Sequence, residues 1–365
     1  MRKPVRVLIV DDSALIRQLL TTLLSADPEI EVVGTAGDPL IARDRIKALN
    51  PDVITLDVEM PNMDGLTFLR KIMTLRPMPV IMISTLTKAG ADTTLEALDI
   101  GAVDFIAKPS GDAARALPQL AAELQRKVKA AASMRVRARS AAGVAAPRPL
   151  RIVNTSGKIV AIGASTGGVE ALKVVLMNLP GDCPPILVTQ HMPPRFTAAF
   201  AQRLDRECPM RVSEAVQDQP IEPGHVYIAP GSHHLEIVRH GLQYRCALND
   251  GPAVTGHRPS VDVLFRSVAR VCPRSGIGVI LTGMGKDGAD GMLELRLAGG
   301  RTIGQDEASS LIYGMPHVAF ERGGVMRQAT LNKIADVILD ACEPDFEAKT
   351  PEPRRPNQDM AMKSL

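Results

Sequence analysis

Residues 5–13, VRVLIVDDS, place two acidic residues directly after a short run of β-branched and aliphatic residues. Such a run, bounded by polar residues, predicts a buried strand. The pattern recurs along the first third of the chain, with a longer helical pattern after each strand. Strands alternating with helices predict a parallel sheet covered by helices on both faces. The predicted strands are Val5–Val10, Glu31–Ala36, Val53–Asp57, Val80–Ser84 and Ala102–Ile106.

The same alternation returns after Lys158. Residues 211–248, in the middle of this half, are richer in Pro, Gly and His and predict hairpins. The expected fold class is therefore α/β, with two doubly wound parallel-sheet domains, the second carrying a hairpin insertion. Its other predicted strands are Ile159–Gly163, Ile186–Gln190, Gly278–Thr282 and Arg301–Gly304.

A basic segment separates the two halves. No acidic residue occurs between Glu123 and Glu170, while Arg and Lys alternate there with Ala, Ser, Gly and Pro. Such a segment buries no core and predicts a linker, helical at its start and flexible afterwards. A contact with nucleic acid or with an acidic surface is the less favoured alternative, because no aromatic residues are interleaved for stacking. The expected division is a domain at 4–123, a linker at 124–157, a domain at 158–343 and a disordered tail at 344–365.

Composition favours a cytoplasmic protein. The net charge of +3 is too small to indicate a nucleic-acid or membrane binder. The five cysteines are odd in number and form no CxxC pair, which favours a reducing compartment over a disulfide or zinc framework. No stretch approaches the roughly 20 apolar residues of a membrane span, so membrane insertion is not expected.

Acidic and basic residues follow several strands of the first predicted sheet. Asp11 and Asp12 follow the first strand, Asp57 ends the third, and Lys108 follows the fifth. Ligands of an open parallel sheet bind outside the carboxyl ends of its strands, where these side chains converge. Clustered carboxylates suit Mg²⁺, and a magnesium-bound carboxylate attacks a phosphoryl donor while a lysine screens the charge. Ser84 offers a hydroxyl to a phosphoryl group on Asp57. Helix capping explains one of the adjacent aspartates but not the cluster.

The segments LIVDDS (8–13), TLDVEMPNMDG (55–65), MIST (82–85) and GAVDFIAKP (101–109) resemble a bacterial response-regulator receiver domain. The resemblance implies a flavodoxin-like fold and a Mg²⁺ ion that supports phosphorylation. At the two switch positions this sequence has Ser84 and Phe105, where the family often has Thr and Tyr; this difference leaves the signalling kinetics open. The site residues that it implies are Asp57 as phosphoacceptor, Asp12, Asp57 and the backbone carbonyl of Glu59 as magnesium ligands, Asp11 as their support, Ser84 and Phe105 as switch residues, and Lys108 as the phosphoryl contact.

A second constellation lies in the second half. Residues 163–167, GASTG, match G-x-S-x-G between a predicted strand and a predicted helix, as a nucleophile elbow requires. A glycine-rich phosphate loop is the alternative. His191 and Asp287 also follow predicted strands, so the three side chains share one sheet edge. Their expected roles are attack on a carbonyl by Ser165, proton relay by His191, and orientation of the imidazole by Asp287.

Several details of this constellation stay open. The order Ser, His, Asp differs from that of the α/β-hydrolases. Asp290 is the nearest rival of Asp287, although it should lie one turn into the helix. The expected oxyanion hole uses the backbone N–H of Thr166, with Met284 as a candidate second donor that spacing does not settle. The remaining histidines lack ligand spacing, which favours surface or structural roles over a metal site; those considered are His225, His233, His234, His240 and His257.

The segments VAIGASTGG (160–168), VTQHMP (188–193), GHVYIAPG (224–231), HRPSVDVLF (257–265), LTGMGKDGADG (281–291) and QDEASSLIYGMP (305–316) resemble the catalytic domain of the chemotaxis protein-glutamate methylesterases. The resemblance implies a Rossmann-like domain whose triad is Ser165, His191 and Asp287. It implies hydrolysis of glutamate γ-methyl esters on chemoreceptors, deamidation of glutamines in many members, and no cofactor for the esterase. The implied partners are methyl-accepting receptors as substrate and a chemotaxis histidine kinase as phosphoryl donor; a monomer is expected.

Two other output functions compete with this one. A nucleic-acid-binding response regulator is disfavoured because the second half shows no helix-turn-helix or basic recognition helix. A nucleotide-binding oxidoreductase is disfavoured because no acidic residue ends the second strand of that half to hold a ribose. A phosphoacceptor fused to a hydrolase also predicts that the unphosphorylated first domain packs over Ser165 and restricts access.

Overall fold

The structure is a computed structural model that describes residues 3–60, 63–85, 87–108, 113–134, 157–344 and 346. Most of the expected linker, residues 135–156, and nearly all of the expected tail, residues 347–365, lie outside the described residues. The flexibility expected for those two segments therefore stays a prediction.

The first half folds around a five-stranded parallel sheet of order β2-β1-β3-β4-β5. The strand order reverses between β1 and β3, so the carboxyl ends of these strands flank a crevice that suits a ligand. The strands are β1 (Val5–Val10), β2 (Ile30–Ala36), β3 (Val53–Asp57), β4 (Val80–Ser84) and β5 (Asp104–Ala107), and the helices are α1 (Ala14–Ser25), α2 (Pro39–Leu49), α3 (Gly65–Leu75), α4 (Lys88–Ile100) and α5 (Ala113–Ala132).

Side-chain caps fix where several of these helices begin. Ser13, Asp38 and Asp64 each accept a hydrogen bond from a backbone N–H of the first turn that follows. Such caps satisfy donors that the helix itself leaves unpaired. The β3 side chains are all buried, as expected for a central strand of a parallel sheet.

The second half contains a seven-stranded parallel sheet of order β14-β13-β12-β6-β7-β9-β8, together with a separate two-stranded hairpin. Here the order reverses between β6 and β12. The strands are β6 (Ile159–Ala164), β7 (Ile186–Gln190), β8 (Arg211–Glu214), β9 (His225–Ile228), β10 (His234–His240), β11 (Gln243–Asn249), β12 (Gly276–Ile280), β13 (Arg301–Gln305) and β14 (Arg327–Ala329). The helices are α6 (Gly168–Met177), α7 (Phe196–Glu207), α8 (Val261–Val271), α9 (Ala289–Leu297), α10 (Met315–Glu321) and α11 (Leu331–Asp340).

The α/β fold class is confirmed, but the expectation of hairpins throughout residues 211–248 is wrong. Only β10 and β11 pair as a hairpin, whereas β8 and β9 extend the parallel sheet beyond β7. All four residues of β9 are buried, including the polar ends of His225 and Tyr227. A strand covered on both faces loses the apolar–polar alternation that distinguishes it from a hairpin strand in sequence.

The two halves pack against each other through α4 and β5 of the first. Helix α4 contacts α6 and α7. The ring of Phe105 stacks on Phe196 with 4.5 Å between centroids. Beside this contact, Asp99 forms ion pairs with Lys173 and Arg203. One hydrophobic cluster consequently includes buried residues of both sheets.

Candidate active site

The G-x-S-x-G turn, which carries the candidate nucleophile Ser165, joins β6 to α6. Ser165 follows the last residue of β6, and its side chain is nearly buried, at 8% exposure. Gly167 adopts φ +77°, a left-handed conformation that favours glycine. A Cβ at Gly163 would lie 2.1 Å from Cγ1 of Val261, so only glycine lets α8 approach β6 this closely. The glycines of the G-x-S-x-G motif therefore allow a sharp turn and a close approach of two elements.

Ser165, His191 and Asp287 form one continuous chain of hydrogen bonds. Nδ1 of His191 lies 3.1 Å from Oγ of Ser165, and Nε2 lies 2.8 Å from Oδ2 of Asp287. A neutral imidazole that donates Nε2–H to the carboxylate accepts the serine proton at Nδ1. The ring is therefore turned end for end relative to the serine-protease template, in which Nε2 faces the serine.

Asp287 is held by the beginning of α8. Ser260 donates its hydroxyl to Oδ1 at 2.7 Å, and the backbone N–H of Val261 donates to Oδ2 at 2.7 Å. The backbone N–H of Asp262 adds a bond of 3.2 Å to Oδ1. Burial alone would raise the pKa of Asp287, but the bonds from His191, Val261 and Ser260 hold that pKa well below its usual range. The carboxylate is therefore charged and fixed beside the imidazole.

The side chain of Gln190 connects the backbone of Ser165 with that of His191. Its amide Nε2 donates to the backbone carbonyls of Ser165, at 3.0 Å, and His191, at 3.2 Å. The side chain is buried at the end of β7. Gln190 and Ser260 were not predicted from the sequence. Gln190 lies directly before a candidate histidine and Ser260 directly before a predicted helix, and these positions were the only signals of their roles.

Two unsatisfied backbone donors lie beside the nucleophile. Among the described residues, none accepts a hydrogen bond from the N–H of Thr166 or of Met284. The loop that carries Met284 touches the nucleophile, since a Cβ at Gly283 would lie 2.9 Å from Cβ of Ser165. Asp290, the rival carboxylate, instead pairs with Arg322 on the surface of α9. The structure thus places Asp287, and not Asp290, against His191.

A carboxylate cluster occupies the carboxyl edge of the first sheet. One carboxylate oxygen each from Asp11, Asp12 and Asp57 lies within 4.8 Å of the others. Nζ of Lys108 lies 2.8 Å from Asp57 and 3.0 Å from Asp11. Burial raises the pKa of Asp57 to about 6, against the opposing effect of Lys108. Three close oxygen ligands with an open side fit Mg²⁺, which keeps several waters and prefers oxygen. Glu59 lies two residues after Asp57, and its N–H donates to Oδ1 of Asp57 at 3.3 Å.

The two switch positions connect this cluster to the second half. Oγ of Ser84 donates to the carbonyl of Gly90 at 3.2 Å and accepts from Oγ1 of Thr94 at 2.7 Å, so its hydroxyl is directed into α4. Phe105 is buried in its stack on Phe196. Both residues therefore lie where the phosphoacceptor edge meets the contact between the two halves.

Asp104 joins the first half to the nucleophile turn. The hydroxyl of Thr166 donates to Oδ2 of Asp104 at 2.5 Å, and Nζ of Lys127 lies 3.1 Å from Oδ1. Burial lowers the pKa of Lys127, but its carboxylate partners Asp104 and Glu123 raise the pKa above its usual value, so the amine is charged. A cavity of about 340 Å³, lined by Ser165 and Asp104 among others, lies between the two halves. Asp104 was not predicted from the sequence as a site residue.

The remaining histidines take different positions. Nδ1 of His234 accepts the N–H of Ser260 at 3.1 Å, and Nε2 of His225 lies 2.8 Å from the hydroxyl of Ser213. The ring of His257 stacks on His191, with 3.8 Å between centroids. Within the described part of the chain, the aspartate cluster is the only group arranged to hold a metal. Nor does any helix there have the length and apolarity to cross a membrane.

A phosphoacceptor domain joined to an α/β domain with a serine, histidine and aspartate chain defines a response regulator with a hydrolase output. Comparison with known proteins agrees. Residues 7–118 match the response regulator receiver domain family, and residues 160–338 match the CheB methylesterase family. The chain belongs to the CheB family of receiver-linked protein-glutamate methylesterases. This membership decides against the nucleic-acid-binding and oxidoreductase alternatives.

Three similar proteins illustrate the relationship. Protein-glutamate methylesterase/protein-glutamine glutaminase 1 of Caulobacter vibrioides is 57% identical over 338 residues, covering 92% of this chain and 97% of the relative. The protein with the same name in Xanthomonas campestris pv. campestris is 54% identical over 347 residues, with the same coverages. The crystal structure of the Thermotoga maritima CheB methylesterase catalytic domain is 39% identical, with a TM-score of 0.50, and covers 51% of this chain and 98% of that one.

Proposed function

We propose that this chain hydrolyses glutamate γ-methyl esters on chemoreceptors and deamidates particular receptor glutamines, with Ser165 as the nucleophile. The names of its relatives support the substrate class. The observation that carries the proposal is the hydrogen-bonded chain from Oγ of Ser165 through His191 to Asp287. In this geometry a serine becomes a nucleophile toward an acyl carbon.

The proposed reaction has two halves. Nδ1 of His191 takes the proton of Ser165 as Oγ attacks the ester carbonyl, and Asp287 stabilises the imidazolium through Nε2–H. The oxyanion accepts hydrogen bonds from the N–H groups of Thr166 and Met284. Collapse of this intermediate breaks the ester bond, and His191 protonates the departing methoxide to methanol. Water, deprotonated by His191, then releases the glutamate and restores Ser165. With glutamine the leaving group is ammonia.

The first half is proposed to restrain this reaction until it is phosphorylated. Asp12, Asp57 and the carbonyl of Glu59 would hold Mg²⁺, which would neutralise charge during phosphoryl transfer to Asp57. A phosphoryl group there attracts Lys108 and competes with Gly90 for the hydroxyl of Ser84. These changes act on α4 and β5, which contact the second half, and they favour separation of the two halves. The contact of Asp104 with Thr166 supports a closed resting state.

The partners follow from this activity. A chemotaxis histidine kinase donates the phosphoryl group, and methyl-accepting receptors are the substrates. We further propose a cytoplasmic monomer with domains at 4–123 and 158–343 joined by the 124–157 linker. All five cysteines are free thiols, which agrees with a reducing compartment.

Methanol release from methyl-esterified receptor tests the proposal. Full-length protein activated with acetyl phosphate and Mg²⁺ should release methanol, and Ser165→Ala should release none above background. Ser232→Ala is the matched control, because its hydroxyl bonds His233 rather than the triad. Full activity in Ser165→Ala would refute the nucleophile assignment, and inactivity of the phosphorylated wild type would refute the function.

A further inference from the structure

We infer that His257 is a positioning residue for the catalytic base: its ring stacks on His191, holds that imidazole in the plane of its two hydrogen bonds and stabilises it when it is protonated. The inference rests on the proposed function. The two imidazole rings lie with centroids 3.8 Å apart and planes only 8° from parallel.

The hydrogen bonds of His191 leave one motion of its ring unrestrained. The bonds to Ser165 and to Asp287 use the two ring nitrogens, whose N–H and lone-pair directions lie in the plane of the imidazole. They resist rotation within the plane but resist tilting about the line between the two nitrogens only weakly, because hydrogen-bond energy changes slowly for small angular deviations. A parallel ring in van der Waals contact opposes that tilt.

A tight turn holds His257 in place. The N–H and carbonyl groups of Val254 and His257 bond each other reciprocally, at 3.0 and 2.9 Å. Between them Thr255 has φ +52° and Gly256 has φ +83°, the combination of a type I′ turn. Three residues after His257, Ser260 donates its hydroxyl to Asp287. One short segment, residues 257–260, therefore packs against the face of the His191 imidazole and also holds its carboxylate partner Asp287.

His257 is suited to stacking and unsuited to proton transfer. Burial, followed by the neighbouring His191, lowers the pKa of His257 to about 3, despite the opposing charges of Asp287 and Glu123. Among the described residues, neither ring nitrogen of His257 has a hydrogen-bond partner, so the stack is the contact that joins it to His191. A neutral π face beside the imidazolium that forms during each half-reaction is attractive.

Two substitutions in the full-length protein separate stacking from acid–base chemistry. His257→Phe keeps a flat π face without a titratable nitrogen, whereas His257→Leu keeps an apolar side chain without a π face. The assay is methanol release by protein phosphorylated with acetyl phosphate and Mg²⁺, with kcat and KM measured separately. We expect His257→Phe to stay within about threefold of wild-type kcat and His257→Leu to lose about tenfold, with KM moving less than twofold in both. His240→Leu, on the exposed end of β10, is the matched control.

Each other outcome overturns the inference. Equal losses in the Phe and Leu variants would assign His257 an acid–base or hydrogen-bonding role. Wild-type kcat in His257→Leu, or a change confined to KM, would show that His257 does not position His191. If His257→Leu unfolds at the assay temperature, His257→Gln, which also lacks a π face, takes its place with the same expectation. A wild type that releases no methanol would refute the proposed function itself and not the stacking.

Discussion

The carboxylate of Asp104 accepts a hydrogen bond from the hydroxyl of Thr166, across the contact between the two halves of the chain. Thr166 directly follows the nucleophile, and Asp104 directly precedes the switch residue Phe105. The proposed phosphorylation of Asp57 would therefore act on the sheet whose strand β5 is bonded to the turn that carries Ser165. Lys127, whose side chain is only 13% exposed, depends on Asp104 as one of its partners. A buried charge that loses a partner destabilises the structure around it.

Asp104→Ala should raise the activity of the unphosphorylated enzyme. The substitution removes the bond to Thr166, which crosses the contact between the two halves, so the closed arrangement loses stability. Loss of a charged hydrogen bond of this kind shifts an equilibrium by about tenfold or more. Methanol release without a phosphoryl donor should rise by about that factor, up to the rate of the phosphorylated wild type. Asp44→Ala, an exposed change on α2, is the control, and an unchanged rate in Asp104→Ala would exclude this bond as a restraint.

Asp57→Asn should abolish activation without changing the resting rate. An amide neither attacks a phosphoryl donor nor ligates Mg²⁺ as a carboxylate does. Incubation with acetyl phosphate that carries a labelled phosphoryl group should leave no acyl phosphate, recognised as label that survives acid and is lost in base, on this variant. Its methanol release should not respond to the donor. Asp52→Asn is a nearby comparison, since its carboxylate bonds the backbone N–H of Arg6 outside the cluster. Activation of Asp57→Asn by the donor would place the phosphoacceptor elsewhere.

Asp287→Asn should lower kcat by about 10⁴-fold while leaving the fold intact. The amide cannot stabilise the imidazolium, and it favours the tautomer of His191 that carries its proton on the nitrogen facing Ser165. Asp290→Asn should stay within about twofold of wild type, because Asp290 pairs with Arg322 at the surface. The reverse ranking of the two variants would reassign the third triad member.

The sequence predicted the triad and the phosphoacceptor cluster because their residues follow strands, and the ends of parallel strands meet at one edge. It did not predict Ser260 on Asp287 or Asp104 on Thr166, because these contacts depend on how α8 and β5 pack. Buried strand β9 was mistaken for part of a hairpin, since burial on both faces removes its alternation. The stack of His257 on His191 likewise arises from a turn whose direction no local pattern encodes.

Gly283→Ala should reduce kcat far more than it reduces stability. Its Cβ would lie 2.3 Å from Sδ of Met315 and 2.9 Å from Cβ of Ser165. Met315 is fully buried, so the new methyl group also presses on Ser165, and displacement of Ser165 lengthens its bond to His191. Misplacement of a reacting atom by about 1 Å costs about 100-fold in rate. Gly37→Ala, which meets only the flexible end of Arg17, is the control. Unchanged methanol release in Gly283→Ala would show that this loop adapts without moving the nucleophile.

His257 should also make stability depend on pH. Its folded pKa of about 3 lies below the value of about 6.5 for an unfolded histidine. Between these values the unfolded chain binds more protons, so the contribution of His257 is fully present above about pH 6.5 and is lost as the pH falls toward 3. From about pH 7.5 to about pH 5 the loss is about 1–2 kcal/mol. In His257→Phe this loss is absent. When the pH is lowered over the same interval, calorimetry should therefore show a Tm decrease that is smaller in His257→Phe than in wild type, by about 2–6 °C. His240→Phe should follow the wild type, and identical decreases in His257→Phe and wild type would show that the ring titrates as freely in the folded enzyme as in the unfolded chain.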